Sequence, residues 1–100
     1  MPDVIRRVVI SGRVQGVGYR AWTASRARML GLDGWVRNRR DGTVEAVFAG
    51  PPDTISQMIS DCRRGPVGAR VETVRDEPGV PSLLALRPPS GGGFAMIETA

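Results

Sequence analysis

Val8-Val9-Ile10-Ser11-Gly12-Arg13-Val14-Gln15-Gly16-Val17-Gly18-Tyr19-Arg20 takes the chain from a β-branched run, through a glycine loop, into a helix. Val4 to Val14 reads as a strand, with Val8 and Ile10 on one face and Arg7, Val9 and Ser11 on the other. From Ala21 to Leu30, Ala24, Ala27 and Leu30 recur at helical spacing, with Trp22 and Met29 one heptad apart beside them. Gly31 supplies the stop. Glycines between a strand and a helix let several backbone N–H groups converge on one point, an anion-binding nest. The helix adds its unpaired N-terminal donors and the positive end of its dipole. Arg20 adds a planar fork of donors matched to a phosphate or carboxylate. The stretch reads as a phosphate cradle.

The rest of the chain builds outward from this unit. Gly34 to Arg39 and Thr43 to Ala49 read as two strands joined at Arg40-Asp41-Gly42, a strong hairpin signal. A second helix follows Gly50-Pro51-Pro52, with Asp53 or Thr54 expected as its cap. Its Ile55, Met58, Ile59 and Cys62 fall at i, i+3, i+4 and i+7, one apolar stripe that makes Cys62 a core residue. Gly65-Pro66 ends that helix and Ala69 to Val74 reads as a further strand. Asp76 to Gly93 holds four prolines and Gly91-Gly92-Gly93, and so reads as a loop excursion, with Ser82 to Leu86 a short edge strand or turn. Phe94 and Met96 alternate with Ala95 and Ile97 as a last strand packing one face on the core. The order strand–helix–strand–strand–helix–strand, plus a short final strand, is that of an α+β, ferredoxin-like split βαβ sandwich. It places two helices on one face of an antiparallel sheet, in a single domain over residues 1–100.

Composition removes much chemistry. The 100 residues contain no histidine and no lysine, and Cys62 is the one cysteine. Histidine triads, lysine Schiff bases, internal disulfides and cysteine-cluster metal sites are thereby excluded. Fourteen arginines give a net charge of +4, which favours acidic partners, from phosphate-bearing small molecules to nucleic acid. Arg37, Arg39 and Arg40 read as a solvated basic face, and Trp35 and Tyr19 as core. No apolar run is long enough to span a membrane, and Met1 to Arg7 has no leader-like apolar stretch. A cytoplasmic location without membrane association is expected.

Two motifs resemble those of the acylphosphatases. Gly12-x-Val14-Gln15-Gly16-Val17-x-Tyr19-Arg20 is similar to the family's first signature, and Gly34-Trp35-Val36-x-Asn38-x-x-Asp41-Gly42-x-Val44-Glu45 to its second. Gly50-Pro51, Gly65-Pro66 and Ala69-x-Val71 fit as well, so the resemblance covers about residues 5 to 76. The segment Pro78 to Gly93 is longer than the family's pattern. Ile97-Glu98-Thr99-Ala100 stands where a basic and aromatic ending is usual. The resemblance implies hydrolysis of an acyl phosphate to a carboxylate and inorganic phosphate, with no metal and no cofactor. It implies that Arg20 and the backbone N–H groups of Gln15, Gly16, Val17, Gly18, Tyr19 and Arg20 bind the phosphoryl group. It further implies that Asn38 holds the attacking water.

The chemistry is compatible with those residue types. Phosphoryl transfer through a loose transition state needs positioning and charge stabilisation more than covalent catalysis. A carboxylate whose acid has a pKa of about 4–5 leaves without a general acid. An amide can accept from a water and donate to a phosphoryl oxygen, though it cannot act as a base. Taken singly, Gly16 and Gly18 are turn formers, Arg20 a surface arginine and Asn38 a strand-end residue; their joint occurrence carries the functional reading. The alternative is a non-catalytic phosphate- or nucleic-acid-binding module on the same fold. Nucleic acid is not expected, because Val8 to Arg13 bears no aromatic and Phe48 alone makes a poor stacking platform. The expected partner is a small acyl phosphate and the expected state a monomer. The sequence assigns no pocket for the acyl group.

Overall fold

The computed structural model describes residues 3–87 and 93–100. Its elements run β1 (Val4–Arg13), α1 (Tyr19–Met29), β2 (Asp33–Asn38), β3 (Val44–Gly50), α2 (Pro52–Arg64), β4 (Arg70–Pro78), a 3-10 turn η1 (Pro81–Leu86) and β5 (Phe94–Met96). The strands form one sheet in the order β4-β1-β3-β2-β5. β1 pairs antiparallel with both β3 and β4, and β2 pairs antiparallel with β3.

β5 departs from the expected antiparallel sheet by running parallel to β2, which makes the sheet mixed. The connection explains why. β4 ends beside the start of β1, where the Gly79 N–H donates to the Ile5 carbonyl. η1 then crosses to β2, with the Trp35 Nε1–H donating to the Leu83 carbonyl at 2.7 Å. The chain therefore enters β5 from the end at which β2 begins. Ser82 to Leu86 is accordingly a 3-10 turn rather than an edge strand. Asp76 to Pro78 belongs to β4 rather than to the loop, held against β1 by the ion pairs Arg6–Asp76 and Arg7–Glu77. Gly91 and Gly92 of the expected glycine loop lie outside the described residues.

The main core fills the space between the sheet and the helices. Val8 and Ile10 of β1, Val36 of β2 and Phe48 of β3 meet the α2 stripe of Ile55, Met58, Ile59 and Cys62, all buried as the spacing predicts. Phe48 stacks on Phe94, with ring centroids 5.4 Å apart. Burial pushes the Cys62 thiol up to about 12. α1 contributes Ala24 and Ala27, but its Met29 is exposed, so the heptad with Trp22 does not become a second buried row. The helix closes as expected, with the Gly31 N–H donating to Arg28 and the Leu32 N–H to Ala27. α2 begins earlier than its polar residues suggest. Pro51 is the N-cap and Pro52 occupies the first turn, where its fixed φ suits a helix start and no N–H is needed. Asp53, inside that turn, complements the dipole instead of capping.

The opposite face of the sheet is not bare. Trp35 and Val47 are fully buried there, covered in part by η1. The Arg37 guanidinium lies 4.8 Å from the Trp35 ring centroid and pairs with Glu45, which also accepts from Arg7. Arg37 is thus part of a half-buried ion network around the buried Glu45 rather than of the solvated basic face expected for it. Arg40 is exposed, as expected. All five aromatic side chains are buried or half-buried, and Phe48 faces the helices, so the sheet offers no base-stacking platform.

Candidate active site

The site lies at the end of the sheet where β1 and β2 finish. β1 bulges between Ser11 and Gly12. Gly12 has φ 123°, and a Cβ there would overlap the Arg70 carbonyl and lie 2.7 Å from the Glu72 nitrogen. Only glycine lets β1 pass this close to β4 as it turns out of the sheet. The loop then bends through Gly16 at φ 76° and Gly18 at φ 80°, with Gly18 as the N-cap of α1. Neither position has a neighbour that a Cβ would strike, so the glycines serve the backbone conformation alone.

This conformation leaves donors unpaired. The first helical bond runs from the Trp22 N–H to the Gly18 carbonyl. Among the described residues, no acceptor meets the backbone N–H groups of residues 15 to 21. The first turn of α1 carries no acidic residue and does carry Arg20, a charge pattern opposed to the helix dipole. An anion at this point satisfies the donors, the dipole and the guanidinium together.

A cavity of about 250 Å³ opens here, lined by Gly16, Gly18, Arg20, Asn38, Met96 and their neighbours Val14, Tyr19 and Ala21. Arg20 and Asn38, far apart in sequence, therefore share one pocket. Asn38 is the last residue of β2, and its Oδ1 is buried with no hydrogen-bond partner among the described residues. A buried acceptor left unpaired costs about 1–3 kcal/mol, so a donor arriving in the cavity is favoured. No group of three or more acidic, cysteine or histidine side chains is placed to share a metal ion among the described residues.

Both sides of Asn38 are tied. Gln15 Nε2 donates to the carbonyls of Arg39 and Thr43 at 2.7 and 2.9 Å, bolting the cradle loop to the mouth of the β2–β3 hairpin. On the other side the Ala100 N–H donates to the Asn38 carbonyl, and the Arg40 N–H to the Ala100 carbonyl. The hairpin closes as its Asp-Gly pair predicts. The Arg39 N–H donates to Thr43, Gly42 takes φ 92°, and the Asp41 carboxylate accepts from the Thr43 N–H and hydroxyl. The Thr43 hydroxyl and N–H hold the Asp41 carboxyl below its ordinary value. Tyr19 anchors the base of the cradle, its hydroxyl donating to the Cys62 carbonyl at 2.7 Å. Burial raises the Tyr19 phenol, so that hydroxyl stays a donor.

Sequence reasoning missed the Gln15 side chain and Met96. The sequence contained no sign of the first, because the acceptors are backbone carbonyls of another element. Met96 was expected to pack on the core with Phe94. It is instead 48% exposed, because β5 carries it beyond the layer covered by α1 and over the cavity mouth.

Fold and cavity together define an α+β sandwich with an anion-suited pocket at one end of its sheet. The family model described as acylphosphatase matches residues 6–80. An acylphosphatase of Rhodopseudomonas palustris (strain ATCC BAA-98 / CGA009) is 58% identical over 99 residues, spanning 99% of each chain. One from Nitrobacter hamburgensis is 60% identical over the same length, with the same coverage. The solved acylphosphatase of Coxiella burnetii superposes with a TM-score of 0.82 at 32% identity, covering 96% of this chain and 94% of that one. That of Bacillus subtilis gives 0.80 at 26%, covering 94% and 98%. The chain belongs to the acylphosphatase family.

Proposed function

We propose that the chain hydrolyses acyl phosphates, with Arg20 and the backbone N–H groups of Gln15, Gly16, Val17, Gly18, Tyr19 and Arg20 holding the phosphoryl group and Asn38 holding the attacking water. The observation that supports this division is the shared cavity, in which a buried, unpartnered Asn38 Oδ1 shares the pocket with the Arg20 guanidinium and unpaired N–H groups. Water donates one proton toward Oδ1 and presents a lone pair to phosphorus. The bond from water oxygen to phosphorus forms as the bond to the acyl oxygen breaks. The carboxylate leaves with the electron pair, and the water's surplus proton passes to a phosphate oxygen or to solvent. Arg20 and the N–H groups stabilise charge on the equatorial oxygens, the main requirement of a loose transition state.

No metal and no cofactor enters this scheme, since the leaving group is the anion of an acid with a pKa of about 4–5. One domain over residues 1–100 carries the reaction as a monomer in this reading, with Arg20 and Asn38 lining the same cavity. No helix among the described residues is long and apolar enough to cross a membrane. A cytoplasmic setting fits the single buried free thiol. The test is turnover of benzoyl phosphate with and without chelator. Hydrolysis unchanged by chelator, and lost in Arg20→Ala and Asn38→Ala proteins that remain folded, is the expected result. An Asn38→Ala protein as active as the parent would sink the assignment.

A further inference from the structure

A larger groove of about 880 Å³ adjoins the phosphate cavity, the two sharing Arg20 and Met96 as walls. The groove adds Leu86, Ile97, Arg37, Arg87 and Glu98. We propose that this groove is the acyl-group subsite and that it selects acyl phosphates bearing an uncharged, apolar acyl chain longer than acetyl. The inference rests on the phosphate-binding role proposed for Arg20.

The shared wall is the first argument, since a phosphate held by Arg20 sits at the junction of the two spaces. The second is the lining. Leu86 and Met96 are each 48% exposed, two of only five large apolar side chains left so open among the described residues. An apolar ligand that covers them removes that surface from water. Charge decides between an apolar and an anionic tail. Arg37 shares Glu45 with Arg7, Arg87 is paired with Asp33, and Glu98 adds an uncompensated carboxylate. Beyond Arg20, with Arg7 also paired to Glu77, these groups leave no net positive charge, so a distal carboxylate on the ligand gains no net attraction. The walls are also fixed. The Trp35 Nε1–H holds η1 through the Leu83 carbonyl, and the Ile97 N–H donates to Val36 at 2.9 Å. A groove built before the ligand arrives loses little ordering entropy on binding.

The test is binding of a series of alkylphosphonates from methyl to heptyl, followed by calorimetry, with turnover of acetyl phosphate assayed alongside. Affinity is expected to rise about twofold per methylene, half the effect of full burial in an open groove. Leu86→Ser, which removes apolar surface without adding charge, should flatten that rise and leave the methylphosphonate affinity within twofold. A phosphonate of heptyl length ending in a carboxylate should bind more weakly than its alkyl counterpart. A flat series with intact acetyl phosphate turnover overturns the subsite alone. So does tighter binding of the carboxylate-ended ligand, or an unchanged slope in Leu86→Ser. Absence of acetyl phosphate turnover overturns the hydrolytic assignment instead.

Discussion

At the scale of single residues, the proposed mechanism sets a stability cost at Asn38 against a catalytic gain. Asn38 Oδ1 is buried without a donor among the described residues, so Asn38→Ala should leave the protein as stable or up to about 1 kcal/mol more stable. The same change should lower kcat about 10²- to 10³-fold. Paired urea melts and turnover measurements check both halves, and a loss of activity with an equal loss of stability would point to a merely structural asparagine. Under the proposed mechanism the Gln15 side chain acts one step removed, as a positioning residue. Gln15→Ala leaves the Arg39 and Thr43 carbonyls without their shared donor, which costs about 1–2 kcal/mol. It should lower kcat while inhibition by inorganic phosphate keeps its strength, because the cradle N–H groups are not touched. Weakened phosphate inhibition equal to the fall in kcat would place the Gln15 side chain, and not its backbone N–H alone, in the cradle. The meeting of Arg20 and Asn38 in one cavity was legible in the sequence, because the two motifs that carry them are long and specific. The role of the Gln15 side chain was not, since it depends on where β2 and β3 bring two carbonyls.

At the scale of elements, legibility followed the strength of local signals. The β1–loop–α1 unit, the Asp-Gly hairpin and the α2 stripe each have a periodicity or turn chemistry contained within a few residues. The tail does not. Asp76 to Pro78 is strand only because β1 offers it Arg6 and Arg7, and β5 is parallel only because η1 docks on Trp35. These are tertiary facts that no window of sequence carries. The bulge at Gly12 is where local and tertiary demands meet. A Cβ there meets β4 backbone on two sides at a φ that other residues rarely adopt. Gly12→Ala should therefore cost about 2–3 kcal/mol in urea denaturation. It should also weaken phosphate inhibition, because the bulge sets the exit angle of the cradle loop. A variant of parental stability would mean that β4 yields easily at this edge.

At the scale of the molecule, the buried charges and the buried thiol shape how stability depends on pH. Burial alone would raise the Glu45 carboxyl, but hydrogen bonds from Arg37 and Arg7 outweigh it and hold it below its ordinary value. Asp61 is also buried, and Arg26, Gln57 and Arg64 lower it in the same way. In both cases the unfolded chain binds protons more readily than the folded one. Their stabilisation is therefore complete above the ordinary carboxyl range near pH 4 and is lost as pH falls through the folded values. Cys62 sits at the other end. Its thiol is raised from 9.0 to about 12, so folding favours the protonated form. That contribution is whole below about pH 9 and drains away as pH climbs toward 12. The melting temperature should then be flat from about pH 5 to 8.5 and fall on both sides. Glu45→Gln should lower the plateau, because Arg7 and Arg37 lose their shared anion, and should shrink the acid limb. Cys62→Val should shrink the alkaline limb alone. The thiol should also resist alkylation in the native state and react fully in urea, since no part of the side chain reaches solvent. Alkaline limbs of equal depth in the parent and Cys62→Val would show that the loss of stability at high pH comes from other groups, with the raised Tyr19 phenol the next to examine.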